Sequence, residues 1–99
     1  MRVLVTGAGG RVGSRLVPRL AARDQVRTVV RDPDRAAALW NAGLDVIEGD
    51  LRDPETLKRA AVGQDAVVHL AAVDLDTTVE LARACLAAGA SGHGHILHY

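Results

Sequence analysis

The stretch Val5-Thr6-Gly7-Ala8-Gly9-Gly10-Arg11-Val12-Gly13 decides the fold of this 99-residue chain. It ends the apolar run at residues 1–6, which has the length of a strand, and it opens a helix-length segment at residues 11–22. A glycine-rich turn between a strand and a helix is typical of sites that bind phosphate groups at the helix N-terminus. The sequence therefore predicts a phosphate-binding turn at the end of the first strand.

Three regularly spaced glycines each have a physical role in such a turn. Gly7 permits the tight turn out of the strand, Gly10 lets the backbone approach a pyrophosphate, and Gly13 lets the helix pack closely. Exposed backbone N–H groups and the positive end of the helix dipole would then face the phosphate oxygens. For an isolated motif, a tight turn that binds nothing is the alternative. The expected phosphate-contacting residues are Gly7, Gly9, Gly10, Arg11, Val12 and Gly13.

Apolar runs and helix-length segments alternate along the whole chain. Strand-length runs lie at residues 1–6, 26–30, 44–48, 66–70 and 95–99, and helix-length segments lie at residues 11–22, 33–41, 54–61 and 77–88. Strict alternation with short connections and right-handed crossovers predicts a doubly wound parallel sheet of order 3-2-1-4-5. We expect one Rossmann-like α/β domain over residues 1–99, with three α/β/α layers and five strands.

Local signals mark the ends of the predicted helices. Asp32 and Asp53 each precede a proline at a first helical position, and Gly43 and Gly89 follow two predicted helix ends. Trp40 is expected to pack the second helix against its surroundings.

The last predicted helix carries its own start signal. Thr77 and Glu80 have the spacing of a capping box, which predicts a helix start at this threonine. The apolar residues Val79, Ala82 and Leu86 are then expected to face the sheet.

Composition excludes several classes of partner. The chain has 12 basic and 12 acidic residues and is 48% hydrophobic, a balance that does not favour binding to nucleic acid or to a membrane surface. The start of the chain does not resemble a signal peptide, and Cys85 is the one cysteine. We expect a cytoplasmic protein.

Four motifs in register carry a resemblance to a known family. Thr-Gly-x-x-Gly-x-x-Gly at the first turn resembles the extended and atypical short-chain dehydrogenase/reductases, which include NAD-dependent epimerase/dehydratases and NmrA-like NAD(P)H-binding proteins. The other three motifs are Val30-Arg31-Asp32-Pro33, Gly49-Asp50-Leu51 and Asp65-Ala66-Val67-Val68-His69-Leu70-Ala71-Ala72. The resemblance covers essentially the whole chain and implies an NAD(P)-binding domain.

The resemblance also implies contacts for the later motifs. Asp50 and Leu51 would meet the adenine, while Leu70, Ala71 and Ala72 would lie beside the cofactor. A turn residue that stabilises the following segment is the alternative role of Asp50.

The end of the second predicted strand bears on the choice of cofactor. Arg31 stands where an arginine can meet the 2′-phosphate of NADP, so we expect NADP, with NAD as the alternative. Asp32 either turns toward the ribose or caps the helix that begins at Pro33, and the cap is favoured. Arg11 is either a second cation near the phosphates or solvated, and Arg35 and Arg52 are weaker candidates.

The catalytic groups of the family limit the functional prediction. Catalytic members use a Tyr-x-x-x-Lys pair and a serine after the fifth strand, whereas the only tyrosine here is Tyr99, the last residue. We therefore expect the N-terminal part of such a protein, truncated at its C-terminus and without its own catalytic residues. Asp74, where many extended members have asparagine, and the absence of an insertion before it favour the atypical branch.

Three functional hypotheses follow from this sequence. The first is an NAD(P)-binding domain of an oxidoreductase or epimerase/dehydratase. The second is a non-catalytic, NmrA-like redox sensor or regulator. The third is a cofactor-free chain that associates with itself through an incomplete sheet edge.

The histidines do not favour a metal site. His93, His95 and His98 lie close together in sequence, but no carboxylate or cysteine accompanies them, and zinc sites need three or four ligands. His69 is expected to be a hydrogen-bonded strand residue. We predict no metal site.

Overall fold

Strands and helices alternate from one end of the protein to the other. The computed structural model describes the backbone of residues 1–71, 74–88 and 95–98 and the side chains of residues 1–71 and 74–87. Its elements are β1 (Arg2–Thr6), α1 (Arg11–Ala21), β2 (Gln25–Val30), α2 (Pro33–Asn41), β3 (Asp45–Glu48), α3 (Pro54–Ala61), β4 (Ala66–His69), α4 (Leu75–Ala88) and β5 (His95–His98).

The strands form a parallel sheet of order β3-β2-β1-β4-β5. Val5 of β1 lies opposite Thr28 of β2 on one side and Val68 of β4 on the other, and Ala66 of β4 lies opposite His95 of β5. The α/β class and the parallel order 3-2-1-4 predicted from the sequence are confirmed. Because the strands are parallel, the connections that follow β1, β2, β3 and β4 all leave the same edge of the sheet.

Two hydrophobic clusters hold helices on opposite faces of the sheet. The first comprises Val3, Val5, Ala8, Val17, Val26, Leu44 and Val68, with Leu39 of α2 packed against it. The second comprises Leu4, Val29, Leu57, Ala60, Val67 and Leu81. Successive residues of β1 therefore enter different clusters, which explains why its sequence is apolar without alternation. Each fully buried aliphatic side chain contributes about 1.5–3 kcal/mol to folding.

The predicted caps of α2 and α3 are confirmed. Oδ1 of Asp32 accepts a hydrogen bond from the backbone N of Asp34 at 3.0 Å. Oδ1 of Asp53 likewise accepts one from the backbone N of Glu55 at 3.2 Å. Each aspartate thus satisfies an N–H group that the helix leaves unpaired.

Glycine ends α2 as predicted, but the expected position of its tryptophan is wrong. Gly43 follows the helix with φ of +89°, a conformation that side chains with a Cβ rarely adopt. Trp40 is 61% exposed, because the buried side of α2 is formed by Ala36 and Leu39. Gly89, the other predicted stop, lies outside the described residues.

The predicted start of α4 is wrong by two residues. The helix begins at Leu75, and Oδ1 of Asp74 accepts a hydrogen bond from the backbone N of Thr77 at 2.6 Å. The backbone oxygen of Asp74 also accepts one from the N of Thr78 at 3.1 Å. Asp74 therefore supplies the cap that the sequence assigned to Thr77, and Glu80 pairs with Arg83 instead of closing a capping box.

The face of α4 that packs on the protein also differs from the prediction. Leu81 is 1% exposed and Thr77 is buried, whereas Val79 is 39% exposed and Leu86 is 67% exposed. Ala82 is half-buried. Residues four apart share a helix face, so Thr77 and Leu81 are buried together. Val79 and Leu86 therefore point outward.

Candidate cofactor-binding cleft

A cleft of about 590 Å³ opens at the sheet edge where β1, β2 and β3 end. Its walls come from the glycine turn, the ends of β2 and β3 and the connection before α4. The lining residues are Gly7, Ala8, Gly9, Gly10, Val29, Val30, Arg31, Asp32, Arg35, Gly49, Asp50, Leu51, Arg52, Ala71 and Asp74. The structure thus brings parts of all four sequence motifs to one place.

Most of the site residues predicted from the sequence line this cleft. Those that do are Gly7, Gly9, Gly10, Arg31, Asp50, Leu51 and Ala71. Arg11, Val12, Gly13 and Leu70 lie outside the lining, and Ala72 lies outside the described residues. Arg35, Arg52 and Asp74 line the cleft, although the sequence ranked the two arginines low and did not place the aspartate in the site.

The glycine turn is held by close backbone contacts. Gly7 has φ of +73°, and a Cβ there would lie 2.7 Å from the backbone N of Ala71. A Cβ on Gly13 would overlap the carbonyl oxygen of Gly7 and lie 2.8 Å from Cα of Ala8. Gly13 therefore serves the packing of α1 against the turn, which explains why it does not face the cleft.

The start of α1 leaves N–H groups without a side-chain cap. Its N-cap residue is Gly10, and no side chain accepts a hydrogen bond there. The N–H of Gly10 itself is not open to a ligand, because it donates to the carbonyl oxygen of Gly7 at 3.1 Å. The first-turn N–H groups of Arg11 and Val12 have no acceptor within the helix, and this end of the helix carries a partial positive charge.

A buried hydrogen-bond network joins the glycine turn to α4. Oγ1 of Thr6 lies 2.6 Å from Nδ1 of His69 and accepts hydrogen bonds from the backbone N atoms of Leu70 and Ala71 at 3.1 and 3.3 Å. Nε2 of the histidine lies 3.1 Å from Oγ1 of Thr78. His69 is fully buried, and its prediction as a hydrogen-bonded strand residue is confirmed. The network fixes one wall of the cleft.

A charged cluster stands at the ends of β2 and β3. Oδ2 of Asp50 lies 3.0 Å from Nη2 of Arg52 and 3.7 Å from Nη1 of Arg31. The hydrogen bond from the Arg52 side chain is the main reason that the pKa of Asp50 falls to about 2, and the charge of Arg31 adds to the effect. Asp50 is therefore a carboxylate throughout the neutral pH range.

Arg35 reaches across from α2 to the glycine turn. A Cβ on Gly9 would lie 2.8 Å from both Cζ and Nη1 of Arg35. The Arg35 guanidinium therefore lies in the space that a side chain at residue 9 would enter. The sequence places Arg35 on the first turn of α2, but only the packing of α2 beside α1 brings it over the turn.

Asp74, just before α4, also lines the cleft. The backbone hydrogen bond from Thr77 is the main cause that lowers the pKa of the Asp74 carboxyl, and the charge of Arg52 also contributes. The lining of the cleft therefore combines three arginines with three carboxylates, those of Asp32, Asp50 and Asp74.

Two other features are absent from the described residues. Within residues 1–71, 74–88 and 95–98, no helix is both long and apolar enough to cross a membrane. No group of three histidine, cysteine, aspartate or glutamate side chains suited to a metal ion occurs in the part of the chain that the structure describes. The side chains of His93, His95 and His98 lie outside that part.

The glycine turn, the parallel sheet and the cleft define a nucleotide-binding domain. Residues 7–95 match the model of a family described as NAD(P)H-binding. The chain belongs to this family, and its membership of the short-chain dehydrogenase/reductase superfamily, predicted from the four motifs, is confirmed.

The relatives of this chain include a reductase and a dehydrogenase. It is 36% identical over 95 residues to (4-alkanoyl-5-oxo-2,5-dihydrofuran-3-yl)methyl phosphate reductase of Streptomyces griseus, covering 96% of this chain and 33% of the relative. It is also 36% identical over 104 residues to 3 beta-hydroxysteroid dehydrogenase/Delta 5-->4-isomerase of Mycobacterium tuberculosis, covering 98% of this chain and 27% of the relative.

A solved structure shares both the fold and part of the sequence. The triphenylmethane reductase of Citrobacter sp., complexed with NADP(H), superposes with a TM-score of 0.77 at 27% identity and covers 99% of this chain and 36% of that one. The chain spans between about a fifth and a third of the length of the curated relatives that it matches.

Proposed function

We propose that the cleft binds NADP in preference to NAD, with the adenosine and pyrophosphate parts of the cofactor lying against the described residues. The observation that carries this proposal is the uncapped start of α1 in a cleft that Arg31, at the end of β2, and Arg35, on the first turn of α2, also line. The helix N-terminus suits one anionic group of the cofactor, and the guanidinium groups suit another. The family match supports a nicotinamide dinucleotide as the ligand.

The pyrophosphate is assigned to the glycine turn. Gly9 and Gly10 are exposed and line the cleft, and neither has a Cβ to hold a phosphate away from the backbone. The N–H groups of Arg11 and Val12 would donate to phosphate oxygens. Gly7 and Gly13 support these donors by shaping the turn.

The adenine and the nicotinamide ends are assigned to opposite walls. Asp50 and the backbone of Leu51 lie at the end of β3, where the adenine would bind. Leu70, Ala71 and Ala72 follow β4 and would lie beside the remainder of the cofactor. The contact between Gly7 and Ala71 keeps this second wall next to the pyrophosphate site.

The 2′-phosphate of NADP is assigned to Arg31 and Arg35. The side chain of Arg31 is 70% exposed at the end of β2, and Arg35 lies one helical turn further along. One oxygen of Asp32 is engaged as the cap of α2, which weakens its candidacy as the ribose acceptor of an NAD site. Two cations at this end of the cleft favour a phosphorylated ribose.

Isothermal titration calorimetry with NADPH, NADH and ATP tests the proposal on the protein itself. We expect saturable binding of both dinucleotides, tighter binding of NADPH, and weaker binding of ATP because it lacks the second half of the ligand. Trp40 is an unsuitable reporter, since it is largely exposed and does not line the cleft. Absence of heat with either dinucleotide, under conditions where circular dichroism shows a folded protein, would contradict the proposal.

The cofactor is proposed to serve a reductase-type reaction. The named reductases among the relatives support hydride transfer from NAD(P)H to an organic acceptor, and hydride supply is the chemistry that this cofactor brings when bound. The described residues would bind and orient the cofactor. We also propose a cytoplasmic location, which the lone, partly buried Cys85 supports.

A further inference from the structure

Three charged side chains meet where β2 and β3 end, and their contacts are unequal. Arg52 contacts both carboxylate oxygens of Asp50, with Nε 3.2 Å from Oδ1 and Nη2 3.0 Å from Oδ2. The backbone N of Arg52 also donates to Oδ1 at 2.9 Å. Arg31 approaches only Oδ2, at 3.7 Å. The carboxylate is therefore held firmly by its near neighbour and only loosely by Arg31.

The two arginines share a single acceptor atom. Oδ2 of Asp50 accepts a hydrogen bond from Nη2 of Arg52 and also pairs with Nη1 of Arg31. One oxygen can accept only a few hydrogen bonds. When Arg52 binds the Asp50 carboxylate strongly, Arg31 is freer to bind another anion, and when Arg52 binds it weakly, Arg31 pairs with the carboxylate more closely. The exposure of the Arg31 side chain means that it can turn to another anion without losing buried contacts.

We infer that Asp50 sets the preference between the two nicotinamide cofactors by competing with the 2′-phosphate for Arg31, and that Arg52 limits this competition. The inference rests on the proposed function of the cleft. In NADP binding, Arg31 would exchange a carboxylate oxygen for phosphate oxygens. NAD has no 2′-phosphate, so the release of Arg31 from Asp50 does not strengthen the binding of NAD.

Charge and geometry give the direction of each effect. The carboxylate of Asp50 and a phosphate on the same guanidinium would lie within one Debye length, which is about 8 Å at physiological ionic strength, so they repel each other. Exposed ion pairs are weak, and removal of this one should change the ratio of the NADH to the NADPH dissociation constant by about two- to fivefold. Asp50 therefore tunes selectivity and is not required for binding.

Asp50→Asn is the first test variant, because the amide keeps an oxygen acceptor for the backbone N of Arg52 and removes the charge. Calorimetry with NADPH and NADH should show the ratio shifting toward NADPH by about two- to fivefold. Any effect on the adenine changes both cofactors equally and cancels in the ratio. Arg52→Ala should shift the ratio in the opposite direction, since it releases the carboxylate to Arg31.

A second variant pair tests whether the effect passes through Arg31. In an Arg31→Ala background, Asp50→Asn should change the ratio by less than it does in the unaltered protein. An equal change in both backgrounds would overturn the inference. Glu80→Gln is the matched control, because it removes one exposed paired carboxylate on α4 outside the cleft and should leave the ratio unchanged.

The outcomes separate this inference from the proposed function. A protein that is folded but binds neither dinucleotide overturns the proposed function. A protein that binds both, with a ratio that neither Asp50→Asn nor Arg52→Ala alters, overturns the competition alone. Thermal unfolding followed by circular dichroism identifies any variant that has lost its fold.

Discussion

Oγ1 of Thr6, at the end of β1, lies 2.6 Å from Nδ1 of His69, at the end of β4. The same oxygen accepts hydrogen bonds from the backbone N atoms of Leu70 and Ala71. The backbone N of Leu70 also donates to the carbonyl oxygen of Thr6 at 3.1 Å. On the other side of the ring, Nε2 of His69 lies 3.1 Å from Oγ1 of Thr78, so the imidazole joins the end of β1 to α4.

Thr6→Val tests the importance of this network for the fold. The substitution keeps the shape of the side chain but removes the hydroxyl that accepts from the backbone N of Ala71, shares the N–H of Leu70 and hydrogen-bonds to Nδ1 of His69. Because Thr6 is fully buried, we expect a loss of about 2–3 kcal/mol in the free energy of unfolding, measured by urea denaturation. Thr6→Ser retains the hydroxyl and should lose less. Equal stability of the valine and serine variants would contradict the network.

Local signals account for the parts of the fold that the sequence predicted well. The caps at Asp32 and Asp53 and the turn at Gly43 depend on residues close in sequence, so their patterns can be read directly. The start of α4 is different, because Asp74 and Thr77 are both suitable caps. The hydrogen bond from the backbone N of Thr77 to Oδ1 of Asp74 shows which residue is used, and it is visible only in the structure.

In the candidate site, too, local motifs could be predicted from the sequence, whereas contacts between distant segments could not. The glycine turn and Asp50 were predicted from motifs that are contiguous in sequence. The contact of Arg35 with Gly9 joins α2 to the turn before α1, two segments that are far apart in sequence. The sequence made Arg52 a weaker candidate, and its three contacts with Asp50 are visible only in the structure.

Gly13→Ala should distort the glycine turn, because Gly13 packs directly against its backbone. The new Cβ would overlap the carbonyl oxygen of Gly7 and approach Cα of Ala8, and neither backbone can move without reshaping the turn. We expect a loss of about 1–3 kcal/mol in the free energy of unfolding together with weaker binding of both dinucleotides. Gly43→Asn is the control, since nothing lies within 4 Å of its added Cβ and asparagine tolerates positive φ. A Gly13→Ala protein as stable as the parent would refute the packing role.

Arg27→Met should destabilise the opposite edge of the sheet. Nη1 of Arg27 donates to the carbonyl oxygens of Arg59, Ala60 and Val62 at 3.0, 3.1 and 2.7 Å, and Nε donates to Asp45 at 2.7 Å. The bonds from Nη1 satisfy carbonyl groups at the C-terminal end of α3. The Arg27 side chain is only 18% exposed. We expect a loss of about 2–3 kcal/mol in urea denaturation.

Arg83→Met provides the contrast for that experiment. Among the described residues, Arg83 forms a hydrogen bond and an ion pair with Glu80 alone. Its side chain is 73% exposed. Its loss should change stability by less than about 0.5 kcal/mol. Similar losses for the two arginine variants would mean that Arg27 does not act through the end of α3.

Cys85 should react slowly with alkylating reagents in the folded protein. Burial raises the pKa of its thiol from the ordinary value of 9.0 to about 11. At pH 8 the thiolate, which is the reactive form, is then about a hundredfold scarcer than in the unfolded chain. Iodoacetamide labelling followed by mass spectrometry should accelerate strongly in urea. Equal rates in the folded and unfolded protein would contradict the shift.

The same pKa gives a pH dependence of stability with a definite sign. A group whose pKa is raised by folding contributes fully below its unfolded pKa and loses that contribution as the pH rises. The contribution of Cys85 should therefore decline between pH 9 and about pH 11. Cys85→Ala removes the group, and its stability should fall less over that interval than that of the parent protein.

Arg35→Ala tests the assignment of the 2′-phosphate most directly. The guanidinium of Arg35 lies over Gly9, between the glycine turn and the end of β2, where a phosphate on the ribose would meet it. Loss of a charge-assisted contact at this exposed position should weaken NADPH about tenfold and leave NADH within about twofold, as measured by calorimetry. Arg23→Ala removes an exposed arginine that does not line the cleft and should leave both affinities unchanged. If Arg35→Ala weakens NADPH and NADH by the same factor, Arg35 contacts a part that the two cofactors share, and the 2′-phosphate must be assigned to Arg31 alone.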